Sequence, residues 1–474
     1  MNTFVNGVKD RVTTTVTQNG DKTYSTSLDS CVDLFFQFGT LRAAPTRVQE
    51  LFAAAYAQDP ELALRIALYA RDVRGGQGER NVFNAIMDWL REHNPVLFVN
   101  VLQFVPEFGY WRELLRYIDD KEDSYHAVLL FVDGLNAYNG LAAKYAPRKG
   151  PAAARIAGLM NLSPKQYRKL VVRYSKTVET QMCARQWDDI NYSHVPSVAM
   201  KTYAKAFRRH SPELFQSYLD GVTRGETKIN SSTLYPYDLI RGRRDRGATN
   251  AQWDALPDYV GDATFIPMID TSSSMDCSSG VSGISCMDAA ISIGMYLMER
   301  NKTAFKDLAL TFDSTPEWIK SSTSTNVIDR FNHIRRASWG GSTDLRAAFR
   351  LVLDHAKRYN VPAEDMPKNL IVLTDMEFNP GRGYGYHQTS TFEDVAAEFQ
   401  AAGYELPTIV FWNMSKQGKS TPVRYDQKGA VLVSGLSPAI MTTVLSGEAT
   451  PVAAMLRAVN VPRYDAARFC LDAV

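Results

Sequence analysis

Three separated stretches of the chain carry oxygen-bearing side chains at spacings that suit a hard cation. The run FIPMIDTSSSM ends an apolar segment on Asp270 and then presents Ser272 and Ser274 on the first turn beyond it. Gly340-Gly341-Ser342-Thr343-Asp344 supplies Thr343 just before an amphipathic run, and Leu373-Thr374-Asp375 supplies Asp375 at the end of another apolar one. Carboxylate and hydroxyl oxygens are hard ligands suited to Mg2+, which keeps some of its waters and wants near-octahedral geometry. The short Asp-Ser-Ser motif alone says little, because Asp and Ser are also common caps and turn residues. A cation held by few protein charges stays short of anionic ligands and can accept a carboxylate from a partner in an open position. Nothing nearby reads as a nucleophile beside a base. The nearest histidine, His387, falls in the glycine-rich loop Pro380-Gly381-Arg382-Gly383-Tyr384-Gly385-Tyr386-His387, which follows Asp375 and should overhang the cation. Arg382, Tyr384 and Tyr386 either grip a ligand there or belong to an ordinary surface loop.

Such a constellation needs a scaffold that brings three loops to one edge. From Thr264 onward, short apolar runs alternate with amphipathic helical patterns: FIPMID, DLALTF, NLIVLTD and PTIVFWN read as strands, and MDAAISIGMYLMERN, DLRAAFRLVLDHAKRY and TFEDVAAEFQAAG as helices. VLVSGLSPAIMTTVLSG reads as an edge strand running into a closing helix. This alternation predicts a doubly wound, Rossmann-like, mostly parallel sheet, whose sites lie beyond the carboxyl ends of strands where the strand order reverses. Between about Thr46 and Phe215 the apolar residues instead recur at helical spacing, with short breaks at Gly75-Gly76-Gln77-Gly78, at Pro106 to Gly109, at Ser163-Pro164 and at Val195-Pro196. Paired helices with short turns predict an irregular HEAT-like array. The expected fold class is therefore α plus α/β: a helical-repeat module over 1–226, a polar, arginine-rich connector over 227–260 and the α/β domain over 261–474.

The chain of 474 residues is 45% hydrophobic and 22% charged, the profile of a globular protein. It has no apolar run of about 18 residues and no basic-then-apolar start, so no membrane association and a cytoplasmic location are expected. Five scattered cysteines suggest thiols rather than a disulfide framework, and the spacing of Cys277 and Cys286 fits no zinc pattern. The net charge of +2 conceals an uneven distribution, since residues 141–246 hold 20 Lys/Arg against 8 Asp/Glu. That excess is either the footprint of a polyanion or a solvated helical face. The run Arg241 to Arg246 reads equally as connector or as RNA-contacting arm. Tyr145, Tyr174 and Trp187 are interleaved with the basic residues, either to stack on bases or to fill a core.

Asp270, Ser272, Ser274, Thr343 and Asp375, in this order and on these kinds of element, are similar to the metal-ion-dependent adhesion site of von Willebrand factor A domains. The segments ALYARDVRGGQGER (67–80), VPEFGYWRELL (105–115) and WDDINYSHVPSVAMKTYAKAF (187–207) resemble the TROVE module of the Ro autoantigen family, which is likewise joined to an A domain. With the ending VFWNMSKQG…KGAVLVSGLSP, the layout is most similar to a branch of bacterial, viral and eukaryotic proteins, and it covers the chain from about Leu41 onward. The resemblance implies a monomeric ring of helical repeats closed by the A domain, a non-catalytic ribonucleoprotein scaffold for structured or misfolded noncoding RNA. Single-stranded ends would enter the central hole and helical RNA would lie on a basic outer surface. Candidate contacts, chosen on charge alone, are Lys144, Arg148, Lys149, Arg168, Lys169, Arg173, Lys176, Arg185, Lys201, Lys205, Arg208 and Arg209. The rival expectation is a protein-interaction adaptor that captures a partner's exposed Asp or Glu through Mg2+.

Overall fold

In the computed structural model, the described residues are 13–17, 22–175, 177–242, 244–312, 315–336, 344–378, 391–416, 420–445 and 449–473. Eight strands are present among them: β1 (Thr14–Val16), β2 (Lys22–Tyr24), β3 (Phe265–Asp270), β4 (Leu308–Phe312), β5 (Trp318–Lys320), β6 (Asn369–Thr374), β7 (Thr408–Asn413) and β8 (Ala430–Ser434). The last six form one sheet in the order β5-β4-β3-β6-β7-β8. All neighbours in it are parallel except β4 and β5, which are antiparallel. Residues of β3, β7 and β8 are buried almost without interruption. Strands covered on both faces cannot alternate polar and apolar residues, so they read as unbroken apolar runs in sequence.

Helices cover both faces of the sheet. Cys286–Arg300 lies on one face, where a side chain at Gly294 would run into Ile269 and Leu373. Leu345–Tyr359 lies on the other, with Val352 and Ala356 beside Ile266. Within this sheet the chain enters on β3 and builds outward first through β4 and then, from β6, in the opposite direction. The strand order therefore reverses between β3 and β6, and a crevice opens beyond their carboxyl ends.

Helices from Ser30–Gln37 to Pro212–Thr223 make up the N-terminal part; as far as Pro164–Tyr174 they pack on near neighbours in the chain, and Ser197–His210 packs on Pro212–Thr223. The array begins and ends on the α/β unit. Ser30–Gln37 and Pro60–Arg71 pack on β8 and on the C-terminal helices Pro451–Val459 and Ala466–Asp472. At its other end, Pro236–Ile240 and Arg246–Asp254 pack on Cys286–Arg300 and Val327–Arg335. The polar stretch read as a connector is thus two short helices, with Leu239 and Trp253 buried and the Trp253 indole donating to Glu299 at 2.8 Å. Arg241, in the arginine run, pairs with buried Asp288, which also caps Cys286–Arg300 together with Ser285. One apolar core runs through residues 31–171 and 234–470, and a second, smaller one gathers Val178 to Ala248.

The β1–β2 hairpin sits against the α/β unit as well. Tyr24 and Thr421 exchange backbone hydrogen bonds at 3.0 and 2.8 Å, and the Thr17 hydroxyl donates to the Phe378 carbonyl at 2.8 Å.

Candidate metal centre

Asp270 is the last residue of β3 and is completely buried. One carboxylate oxygen accepts the Ser272 amide at 2.9 Å and the other accepts the Thr374 hydroxyl at 2.6 Å. Ser272 precedes a short 3-10 turn, Ser273–Asp276, yet its hydroxyl does not cap it. It lies 2.9 Å from the Ser274 hydroxyl instead, and Ser274 works against burial to lower the Asp375 carboxyl. Asp375 follows β6 directly, is 3% exposed and accepts the Glu377 amide at 3.2 Å. The next residue, Met376, holds φ at +69°, a left-handed backbone that costs a non-glycine residue on the order of 1–3 kcal/mol. Its amide donates to Thr374 Oγ1 at 3.2 Å, which fixes the turn that carries Asp375 back toward Ser274.

Four of the five residues singled out by sequence therefore meet at the switch point: the Ser272 amide and the Thr374 hydroxyl bond Asp270, the two serine hydroxyls face each other, and Asp375 stands near enough for its charge to act on Asp270. Thr343 lies outside the described residues, as do Arg382, Tyr384 and Tyr386 of the glycine-rich loop. Sequence reasoning missed Thr374, whose hydroxyl anchors Asp270; the signal was present in LTD, where the hydroxyl precedes the carboxylate at a strand end. It also missed Asn413 and Ser415 at the carboxyl end of β7, where the Asn413 side chain accepts the Ser415 amide at 2.9 Å and both residues are buried. The turn after Ser274 is pinned by Cys277, whose amide donates to Ser274 and whose carbonyl accepts the Cys286 amide. The two thiol sulfurs are 2.9 Å apart.

Electrostatically the site is unbalanced. Burial, and then the neighbouring Asp375 charge, push the Asp270 carboxyl up to about 7. Burial likewise raises Asp375 above the usual carboxylate range. No lysine or arginine forms an ion pair with either carboxylate among the described residues. Two closely placed, dehydrated carboxylates with two hydroxyls between them suit a small divalent cation, which would offset the repulsion that raises both groups. Among the described residues no cluster of three or more His, Cys, Asp or Glu is placed to hold a metal, so a donor set here has to rest on two carboxylates and hydroxyls.

The basic residues of 141–246 divide into two groups. Lys144, Lys201 and Arg208 are engaged in ion pairs with Glu179 (3.0 Å), Asp238 (2.5 Å) and Asp245 (2.9 Å). Arg148, Lys149, Arg168, Lys169, Arg173, Arg185, Lys205 and Arg209 are exposed, and Lys176 lies outside the described residues. Helix Pro164–Tyr174 buries Tyr167 and Val171 and presents Arg168, Lys169 and Arg173 to solvent without one acidic residue in its length. Trp187 stacks on His210 at 4.2 Å, and Tyr174 packs against Tyr138 at 5.0 Å.

Fold and site together define a mixed protein: a mostly parallel, doubly wound α/β unit with a two-carboxylate crevice, wrapped by a helical part that is packed on it at both ends. Residues 264–460 match the family model described as Domain of unknown function (DUF7788), and residues 17–122 and 140–263 match that described as Domain of unknown function (DUF2828). The chain is similar to "Uncharacterized protein L728" of Acanthamoeba polyphaga mimivirus, 29% identical over 494 residues that cover 91% of this chain and 84% of the viral protein.

Proposed function

We propose that this chain is a non-catalytic binding protein whose α/β unit is a von Willebrand factor A-type domain with a cation site at the switch point. Asp270, Ser272, Ser274 and Asp375 would hold Mg2+, joined by Thr343 from the loop before Leu345–Tyr359. The observation that carries this reading is the meeting of two buried carboxylates, in no ion pair with a base among the described residues, and two serine hydroxyls beyond the ends of β3 and β6. The cation would supply an open coordination position and a positive charge there, suited to an Asp or Glu side chain of a partner protein. Diffraction from crystals soaked in Mn2+, an anomalous scatterer of similar preference, tests the assignment. One ion is expected at about 2.0–2.2 Å from oxygens of these side chains. An ion bound elsewhere, or none, overturns it.

A second reading concerns the helical part, where exposed Arg168, Lys169 and Arg173 lie on a helix that has no acid to neutralise them. Like charges spaced i, i+4 cost a helix roughly 0.2–0.5 kcal/mol per pair, a cost that a bound polyanion would offset. This supports a Ro-like scaffold that holds structured noncoding RNA on its basic face. Filter binding at increasing salt tests it. Reversing all three charges is expected to weaken RNA binding and to make the log K against log salt slope shallower by roughly 0.9 per lost contact, while chelation of Mg2+ leaves binding intact. No affinity for structured RNA at physiological salt contradicts this reading.

A further inference from the structure

The segments 67–80, 105–115 and 187–207, remote from one another in sequence, meet around one cavity of about 430 Å3 in the helical part, away from the carboxylate crevice. Arg71, Arg80, Tyr110, Arg112, Lys201 and Tyr235 are among its lining residues. Arg71 ends helix Pro60–Arg71 and is wholly buried. Its Nε donates to Glu113 Oε2 at 2.7 Å and its Nη2 to Oε1, while Arg80 reaches the same carboxylate at 3.1 Å. The guanidiniums of Arg71 and Arg80 lie 5.5 and 5.7 Å from the centre of the Tyr110 ring. Lys201 is paired with Asp238, also in the lining, so four cations face two carboxylates.

Two glycines of the sequence motifs exist to let these groups approach. A Cβ at Gly109 would come within 2.7–2.8 Å of the Glu113 carboxylate and the Arg71 guanidinium. Gly78 has φ +69°, and a Cβ there would overlap the Tyr235 hydroxyl. The result of this close assembly is incomplete in itself. Arg71 Nη1 and the Tyr235 hydroxyl are buried with no hydrogen-bond partner. In front of them the exposed guanidiniums of Arg80 and Arg112 line the cavity, a setting that calls for an acceptor-rich anion. Burial pushes the phenols of Tyr110, Tyr235 and Tyr237 upward, which keeps them neutral and able to donate. The Tyr110 and Tyr145 rings add flat faces to the same walls. The volume lies within the range of small-ligand pockets, roughly 300–1,000 Å3.

We propose that this cavity is a binding site for a nucleoside monophosphate, its phosphate taken by the exposed guanidiniums of Arg80 and Arg112 and its base stacked on a tyrosine ring. The site is independent of the cation centre. Calorimetric titration of the full chain with each of the four ribonucleoside monophosphates, with the parent nucleosides and with inorganic phosphate tests it. At least one monophosphate is expected to bind at least tenfold more tightly than its nucleoside or phosphate alone, because both halves of the ligand are recognised. Arg112→Glu, a change at an exposed residue, should weaken that binding at least tenfold while leaving the melting temperature of the ligand-free protein unchanged. Tyr110→Leu should weaken the monophosphate but not inorganic phosphate. The proposal is overturned if no monophosphate binds at millimolar concentration, if phosphate alone binds as well as the nucleotide, or if Arg112→Glu binds like the wild type.

Discussion

Mg2+ affinity is expected to rise about tenfold per pH unit between roughly pH 5 and 7 and to level off above, because a carboxylate must lose its proton before it can ligate. Asp270 sets the window, since burial and Asp375 hold its carboxyl up at about 7. The metal-free protein should respond in the opposite sense. A group whose folded pKa exceeds its unfolded value contributes stability that is complete below the unfolded value, near 3.9, and is lost as pH rises through the folded one. The contribution of Asp270 is therefore present at pH 4 and gone by pH 8, where two dehydrated negative charges stand side by side. Calorimetric titration of Mg2+ at pH 5, 6, 7 and 8, with melting curves in chelator at the same values, checks both halves. An affinity independent of pH across this window would show that the cation does not displace a proton from Asp270.

The α/β unit was legible because its physics is local. Strands buried on both faces must be continuously apolar, so FIPMID, NLIVLT and TIVFWN declared themselves, and Leu345–Tyr359 kept a 3.6-residue stripe, whereas Cys286–Arg300 is buried all round. β5 was not legible: it has three residues, WIK, with only Ile319 buried, and its place as an antiparallel edge depends on pairing with β4. The stretch 227–260 looked like a linker because its helices are short: Pro236–Ile240 has five residues, too few to repeat a stripe, although four of them are buried. Nothing local announces that Arg241 will find Asp288, 47 residues away.

The site divides in the same way. Asp270, Ser272 and Ser274 lie within one turn and Asp375 marks a strand end, so spacing revealed them. Thr374 acquires its role only when β6 lies beside β3 in register, with Ile269 opposite Leu373, so that its hydroxyl reaches Asp270. Charge was legible as a count but not as a pattern of pairing. Lys144, Lys201 and Arg208 meet their carboxylates across 35, 37 and 37 residues, and only the fold separates them from the exposed cations of Pro164–Tyr174. The glycines at 78 and 109 read as turns, whereas their neighbours show them to be places where a side chain would displace Tyr235 or the Arg71–Glu113 pair.

The central claim is that Asp270 and Asp375 share one cation. Replacing Asp270 with Asn keeps the shape of the side chain, and its amide can still accept the Ser272 amide, but it removes the charge that both repels Asp375 and would bind the metal. The expected result has an unusual sign: in chelator at pH 8, Asp270→Asn should melt at least as high as wild type, because the repulsion is gone. Mg2+ at about a hundred times its dissociation constant should stabilise wild type by about 2.7 kcal/mol and the variant not at all. Thermal unfolding of the two proteins at pH 8, with and without Mg2+, is the measurement that decides. A wild type that ignores Mg2+, or a variant that gains as much from it as wild type does, contradicts a shared cation at this site.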